Sequence, residues 1–508
     1  MTKKPNIVYI LADDMGYGDL SCLNKSSKIR TRHLDRMADA GMVFEDAHST
    51  SAVCSPSRYS ILTGRYNWRS RLKSGVLWGA SAHLIEDGRM TVASFLKQHC
   101  YHTAMIGKWH LGWDWATTDG CPASQDWSNI DYSGPVTCGP DACGFDYYYG
   151  HCASLDIPPY VYVENGRVTA PPNRVTGDTG ALSWWRKGPT GSDFRHEEVL
   201  PNFTQRSVAY IEERAATDEP FFLYFPLPAP HTPILPTKEF RGRSGTNDYG
   251  DFCLQVDDIV RQIIDALDRT GIADNTILLF TADNGCSPAA DVTGLEKMGH
   301  HPSHVFRGYK ADIYEGGHRI PLIIRWPEVI PAGSVSSETV CLCDLMATCA
   351  EIVGASLPEN AGEDSVSNLP VWQAKMLDRS LREATIHHSI DGSFSIRKGK
   401  WKLEMCAGSG GWSCPRPGEE CEGLPAIQLY DLEADIGEGK NVYDKHPEVV
   451  KELKALLTQY VENGRSTPGK KQGNTGPVEW NQLWWMLTRV PGTVEQGAEG
   501  DAAASRAP

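Results

Sequence analysis

Four uninterrupted apolar runs constrain the fold of this chain more than any other feature. They are Asn6–Ala12 (NIVYILA), residues 103–106 (TAMI), residues 221–225 (FFLYF) and residues 275–281 (NTILLFT). None alternates polar with apolar positions, so each predicts a short strand covered on both faces. Between them the period changes to that of helices. Leu34, Met37 and Ala38 share one face of residues 31–41; Val92, Phe95 and Leu96 share one face of residues 90–98. Residues 203–215 form a further helix, and Phe252, Val256, Ile259, Ile263 and Leu267 predict a long amphipathic one. Strands alternating with helices predict an α/β domain with a large central sheet flanked by helices.

Each run delivers polar residues at its carboxyl end, where open α/β sheets place their ligands. The first ends in Asp13 and Asp14, and the last in Asp283 and Asn284. Adjacent acids are costly to bury unless paired or bound to a metal. One alternative is a helix cap beside a solvated acid; the other is an oxygen-rich shell for a hard cation. The second run leads to Lys108 and His110, which in extended chain would point the same way. The third opens onto His231, on a loop whose path three prolines fix. Taken alone, His231 also fits a surface position.

Cys54 stands at the start of a predicted helix, in the run Cys54-Ser55-Pro56-Ser57-Arg58. One reading is a buried free thiol. Another is a thiol whose pKa the helix dipole lowers, beside backbone donors that hold an anion. The pattern Cys-x-Pro-x-Arg resembles the core motif of the type I sulfatases, of alkaline-phosphatase-like fold. So does Lys310 followed by Tyr314-Glu315-Gly316-Gly317-His318-Arg319. The resemblance spans most of the first 350 residues. It implies a mixed central sheet, Cys54 oxidised to formylglycine by a formylglycine-generating enzyme, and Ca2+ held by Asp13, Asp14, Asp283, Asn284 and an oxygen of modified Cys54. It further implies that Arg58 steadies the formylglycine and that Lys108 and Lys310 bind sulfate. His110 would serve the gem-diol and His231 the leaving oxygen. A hydroxyl of the hydrated aldehyde, activated mainly by Asp283, would attack sulfur, with His231 or Lys310 protonating the departing alcohol. Glu315 and Arg319 are expected to pair and brace the glycine turn.

Residues 113–190 are rich in Gly, Pro, Trp and Tyr and resemble the loops of bacterial carbohydrate sulfatases. Aromatic residues in 144–150 and 154–165 are expected either to present sugar platforms or to pack beneath the loops. His301 and His304, between the last metal-binding strand and Lys310, are substrate-site candidates. The implied activity is exo-acting hydrolysis of a sulfate ester on a galactose- or N-acetylgalactosamine-containing glycan. A broad arylsulfatase, a phosphodiesterase or phosphonate monoester hydrolase of the same superfamily, and a non-enzymatic glycan binder are the alternatives. The cysteine motif and the one-metal ligand set favour sulfate.

With 508 residues the chain accommodates a second domain. Residues 1–356 read as the catalytic domain, 357–370 as a linker and 371–460 as a small subdomain with an antiparallel sheet and one helix. Residues 461–508 read as an extension whose end is disordered. The net charge of −15 argues against nonspecific nucleic-acid binding. No segment reaches the roughly 20 apolar residues of a membrane span, and none resembles a secretory leader. The chain thus reads as soluble, periplasmic or secreted if a leader was removed and otherwise cytoplasmic. Fifteen cysteines, an odd number, leave at least one without an intramolecular partner. Their spacing matches no zinc site, and oligomeric state is left open.

Overall fold

The computed structural model describes residues 4–486. Five strands form the parallel heart of a ten-stranded sheet, in the spatial order Thr276–Ala282, Asn6–Ala12, Phe221–Pro226, His102–Lys108 and Tyr147–His151. The first three are buried along their whole length, as their unbroken apolar sequences require. Leu322–Arg325 joins antiparallel beyond Thr276–Ala282, followed by Met42–Phe44 and Ser334–Ser336. The sheet is therefore mixed.

Two groups of helices cover it. Arg32–Asp39, His196–Ala215 and Asp248–Arg269 pack on one another, as do Cys54–Thr63, Val92–Gln98 and Leu345–Val353. Several expected elements are longer. His196–Ala215 starts seven residues before the predicted helix and carries Pro201 as its sixth residue, inside the helix, where the ring removes one i→i−4 hydrogen bond. Residues 340–353, read as one helix, begin instead with a two-residue strand and a 3-10 turn before Leu345–Val353. Residues 172–191 contain a two-stranded ribbon that has no apolar period to announce it.

A second sheet runs Thr385–His388, Phe394–Lys398, Trp401–Glu404 and Gln428–Asp431, antiparallel throughout. Helix Pro447–Asn463 packs on its two middle strands. This sheet also braces the larger one. The Ala52 N–H donates to the His388 carbonyl at 2.8 Å, and the His388 N–H to the Thr50 carbonyl at 3.0 Å, so the smaller sheet pins the segment that enters the Cys54 helix.

Residues 357–370 carry buried charge. Asp364 accepts from Arg69 Nε at 2.7 Å and Nη2 at 2.8 Å, and Glu363 pairs with Arg65 and Arg89. Removing one partner of a buried pair leaves the other charge uncompensated. Asp364→Ala is expected to cost about 3–5 kcal/mol, read from the urea midpoint; a loss under about 1 kcal/mol would contradict the role given to this pair. The three tryptophans of residues 480–485 also fold back, with Trp485 edge-on to Phe394 at 5.1 Å. The expected disorder of residues 497–508 lies outside the described residues. Among the described residues no helix is long and apolar enough to cross a membrane.

Candidate active site

The sheet register pairs Ala12 with Ala282, so Asp13 and Asp283 leave adjacent strands side by side. Neighbouring residues of a strand point to opposite faces. Asp14 escapes this through a φ of +64°, a left-handed conformation that aspartate tolerates better than most residues. Its carboxylate thereby joins that of Asp13, with Cys54 and His231, in a cluster whose potential ligand atoms lie within 4.8 Å of one another. Asn284 Nδ2 donates to Asp14 Oδ1 at 2.8 Å. Beyond Asp14, a Cβ on Gly18 would lie 2.1 Å from the His301 carbonyl oxygen, so only glycine lets residues 301–304 pack on this turn.

Cys54 is the first residue of its helix and is buried. Its Sγ lies 3.6 Å from Asp13 Oδ1 and 3.5 Å from Lys310 Nζ. Burial pushes the thiol up to about 12, although Lys108 and Lys310 pull the other way. This corrects the expectation of a lowered pKa: desolvation outweighs the helix terminus. An unmodified Cys54 is a neutral thiol and a poor nucleophile at pH 7.

Three cations face three carboxylates in this space. Lys108 Nζ donates to Asp13 Oδ2 and to Ser154 Oγ, both at 2.6 Å. Arg58 donates through Nε to Asp283 Oδ2 at 2.9 Å and through Nη1 to the Lys108 carbonyl at 3.0 Å. Lys310 Nζ reaches Asp14 Oδ2 at 2.8 Å. Burial would raise Asp13, but Lys108, then His231 and Arg58, hold it well below the usual carboxylate range. Burial and the adjacent Asp13 push Asp283 up to about 6, against Arg58.

The two histidines differ in their free nitrogens. The strand bearing Lys108 ends there, and His110 has a φ of +55°, so the same-side alignment expected for extended chain does not hold. Instead His110 Nε2 lies 2.9 Å from the Leu77 carbonyl, which can only accept. Nε2 therefore carries the hydrogen. Nδ1 is a buried lone pair with no hydrogen-bond partner among the described residues. Burial, then Lys108, keep His110 well below the usual imidazole range. His231 Nδ1 faces the Thr232 carbonyl, so it is the donor there, and Nε2 lies 3.6 Å from Asp14 Oδ2.

His300 is buried, held by Asp19 Oδ1 at 2.8 Å and by the Lys28 N–H at 3.3 Å, as a packing residue. His301 is 56% exposed, 4.0 Å from Glu296, and His304 stacks on Tyr17. The packing alternative holds for the tyrosines. Tyr148, Tyr149, Tyr160 and Tyr162 are buried, the last three among Phe194, Phe203 and one another, which rules out the platform role for them. Glu315 pairs with Arg319 at 3.0 Å, as expected. Two site residues escaped sequence reasoning. Ser154 binds Lys108, and Asp156, buried, places Oδ1 3.9 Å from His231 Nδ1. An acid two residues before the Pro158-Pro159 pair is the one signal that could have marked Asp156.

The oxygen set suits a hard cation. Asn284 Oδ1 is buried and accepts no hydrogen bond from the described residues, beside three carboxylates. Such an orphaned acceptor fits an oxygen-liganded ion such as Ca2+.

The family model described as Sulfatase matches residues 5–355. An N-acetylgalactosamine-6-O-sulfatase of Bacteroides thetaiotaomicron is 33% identical over 498 residues, covering 90% of this chain and 93% of that protein. Human arylsulfatase A is 31% identical, covering 90% and 87%. A solved Bacteroides thetaiotaomicron sulfatase, described under the metabolism of multiple glycosaminoglycans, superposes with a TM-score of 0.77 at 33% identity, covering 90% of this chain and 99% of that one. A phosphonate monoester hydrolase of Agrobacterium radiobacter, 18% identical with a TM-score of 0.58 and covering 90% and 96%, shares the fold alone. With a family model matching residues 5–355 and relatives above 30% identity along nine-tenths of its length, the chain belongs to the sulfatase family, whose members are sulfuric ester hydrolases.

Proposed function

We propose that this sulfatase removes a sulfate ester from the end of a galactose- or N-acetylgalactosamine-containing glycan, after a formylglycine-generating enzyme has converted Cys54. The observation that carries the reading is the position of Cys54: the first residue of a helix, flanked at 3.5 and 3.6 Å by the Lys310 ammonium and the Asp13 carboxylate. Formylglycine supplies a hydrated aldehyde as nucleophile, and Ca2+ supplies positive charge at the sulfate. Asp13, Asp14, Asp283, Asn284 and an oxygen of modified Cys54 would hold the ion.

The chain's own residues divide the remaining work. Lys108 and Lys310, buried and directed at the cluster, hold the non-bridging oxygens and balance charge that grows as the ester bond breaks. Arg58 grips Asp283 and fixes it against the nucleophile position. Protonated at Nε2, His231 gives a proton to the departing sugar oxygen; His110 Nδ1, a free lone pair, takes one when sulfate is expelled. The galactosamine assignment rests on the substrate named for the Bacteroides thetaiotaomicron relative, with His301 and His304 offered as sugar contacts.

A panel of defined sulfated saccharides, with products resolved by sulfate position, tests the assignment. Release confined to terminal galactose or N-acetylgalactosamine units is expected, and release from internal units or from glucosamine alone contradicts it. Calcium binding has a readout apart from turnover. Chelated protein titrated with Ca2+ is expected to gain about 2.7 kcal/mol of stability at 100 times Kd, and Asn284→Ala to weaken that gain. A melting profile that ignores Ca2+ would remove the ion from the account.

A further inference from the structure

Beside the catalytic cluster stands a wall that none of these roles uses. Trp78 follows Leu77, whose N–H donates to Ser55 Oγ at 3.1 Å and whose carbonyl accepts from His110. On its other side Gly79 packs so tightly that a Cβ would lie 1.8 Å from the Pro158 carbonyl oxygen. Trp78 is thus fixed between the Cys54 helix and the loop bearing Ser154 and Asp156, yet it is 39% exposed. The strand Trp185–Gly191 brings Arg186 to the same place. Its guanidinium carbon lies 5.0 Å from the centroid of Trp78 and 5.1 Å from that of half-buried Trp184.

Arg186 is also tied to the reaction. Its Nη1 pairs with Asp156, whose Oδ1 lies 3.9 Å from His231 Nδ1. A guanidinium has five donors in a flat fork. Among the described residues only Nη1 has a side-chain hydrogen-bond partner, and the side chain is 41% exposed. Nε and Nη2 donate to no protein acceptor among the described residues. An ion pair with Asp156 alone would not need two partly open indoles around it, and simple packing would bury Trp78. Indole faces suit the C–H face of a pyranose, and a free fork suits an oxyanion.

Building on the sulfatase reading, we propose that Trp78, Trp184 and Arg186 form a subsite for the sugar next to the sulfated one, selecting a neighbour that carries an oxyanion, either a carboxylate or a second sulfate. The tryptophans hold the ring and Arg186 reads the charge. Through Asp156, the occupied subsite lies one residue contact from His231, on the side where the leaving sugar oxygen departs.

Three disaccharides with the same sulfated hexosamine test this: one with a neutral hexose neighbour, one with a uronate and one with a sulfated neighbour. Arg186→Ala is expected to lower the ratio of kcat/KM for the acidic over the neutral disaccharide by about 10- to 100-fold. Arg186→Lys keeps a charge but loses the fork and should give part of that loss. Trp184→Ala should raise KM on all three and leave the ratio in place. Lys187 alternates to the other face of the strand, beside Trp127 and Tyr132, so Lys187→Ala should change nothing. Whichever acidic substrate loses more identifies the oxyanion. A ratio unmoved by Arg186→Ala for both acidic substrates overturns the subsite while the sulfatase reading stands. Absence of sulfate release from all three by the wild-type enzyme overturns both.

Discussion

Cys54→Ala is expected to lower sulfate release by about 10⁴-fold or more, with the fold intact. Cys54 is a small buried side chain whose sulfur makes only long contacts, to Asp13 at 3.6 Å and Lys310 at 3.5 Å. Its loss removes little packing. What disappears is the atom that becomes the nucleophile, in a site where Lys108 and Lys310 remain to bind sulfate. Cys54→Ser refines the result. A serine matches the thiol in shape and could form a sulfate ester, but it lacks the second hydroxyl of an aldehyde hydrate and so has no internal route to expel sulfate. It should turn over no more than once. Initial rates with circular dichroism spectra of both variants check this; steady multiple turnover by Cys54→Ser would contradict the account.

Lys310→Ala should be the next most damaging change. Among the described residues Lys310 is the one cation that touches both the Asp14 carboxylate and the Cys54 sulfur. Removing a donor aimed at developing charge costs roughly 10²–10³ in kcat. The same change leaves three buried carboxylates facing two cations, a loss of about 3–5 kcal/mol in the metal-free protein. Added Ca2+ should restore much of that stability without restoring the rate, because the ion replaces the missing charge but not the ammonium at the sulfate. Melting curves with and without Ca2+, set beside kcat, separate the two effects. A fall in kcat below about tenfold would remove Lys310 from sulfate binding.

Much of this site was legible because its residues sit where apolar runs stop. A buried strand must end in something the sheet can tolerate at its edge, and Asp13, Asp14, Lys108 and Asp283 all mark such ends. The smaller sheet was legible for the same reason of pattern. Conformation at single residues was not. No periodicity signals the left-handed turns at Asp14 and His110, which decide where a carboxylate and an imidazole point. Burial of the thiol was equally hidden, since a helix N-terminus looks electropositive in sequence while its desolvation depends on what packs over it. Ser154, Asp156 and Arg186 come from loops and a ribbon that tertiary contact alone brings to the sheet edge. The buried pairs of Asp364 and Glu363 with Arg69, Arg65 and Arg89 show the same limit. A stretch rich in small and polar residues reads as a connector, yet it carries charge into the core.

Cleavage of sulfate esters here depends on Cys54 becoming an aldehyde. Peptide mass measurement after co-expression with a formylglycine-generating enzyme, on the same sample whose sulfate release is assayed, tests it most directly. Conversion of the Cys54 thiol to an aldehyde is expected, with sulfate release in proportion to the converted fraction. An unmodified Cys54 in a sample that turns over, or full conversion in a sample that releases no sulfate from any sulfated saccharide, would contradict it.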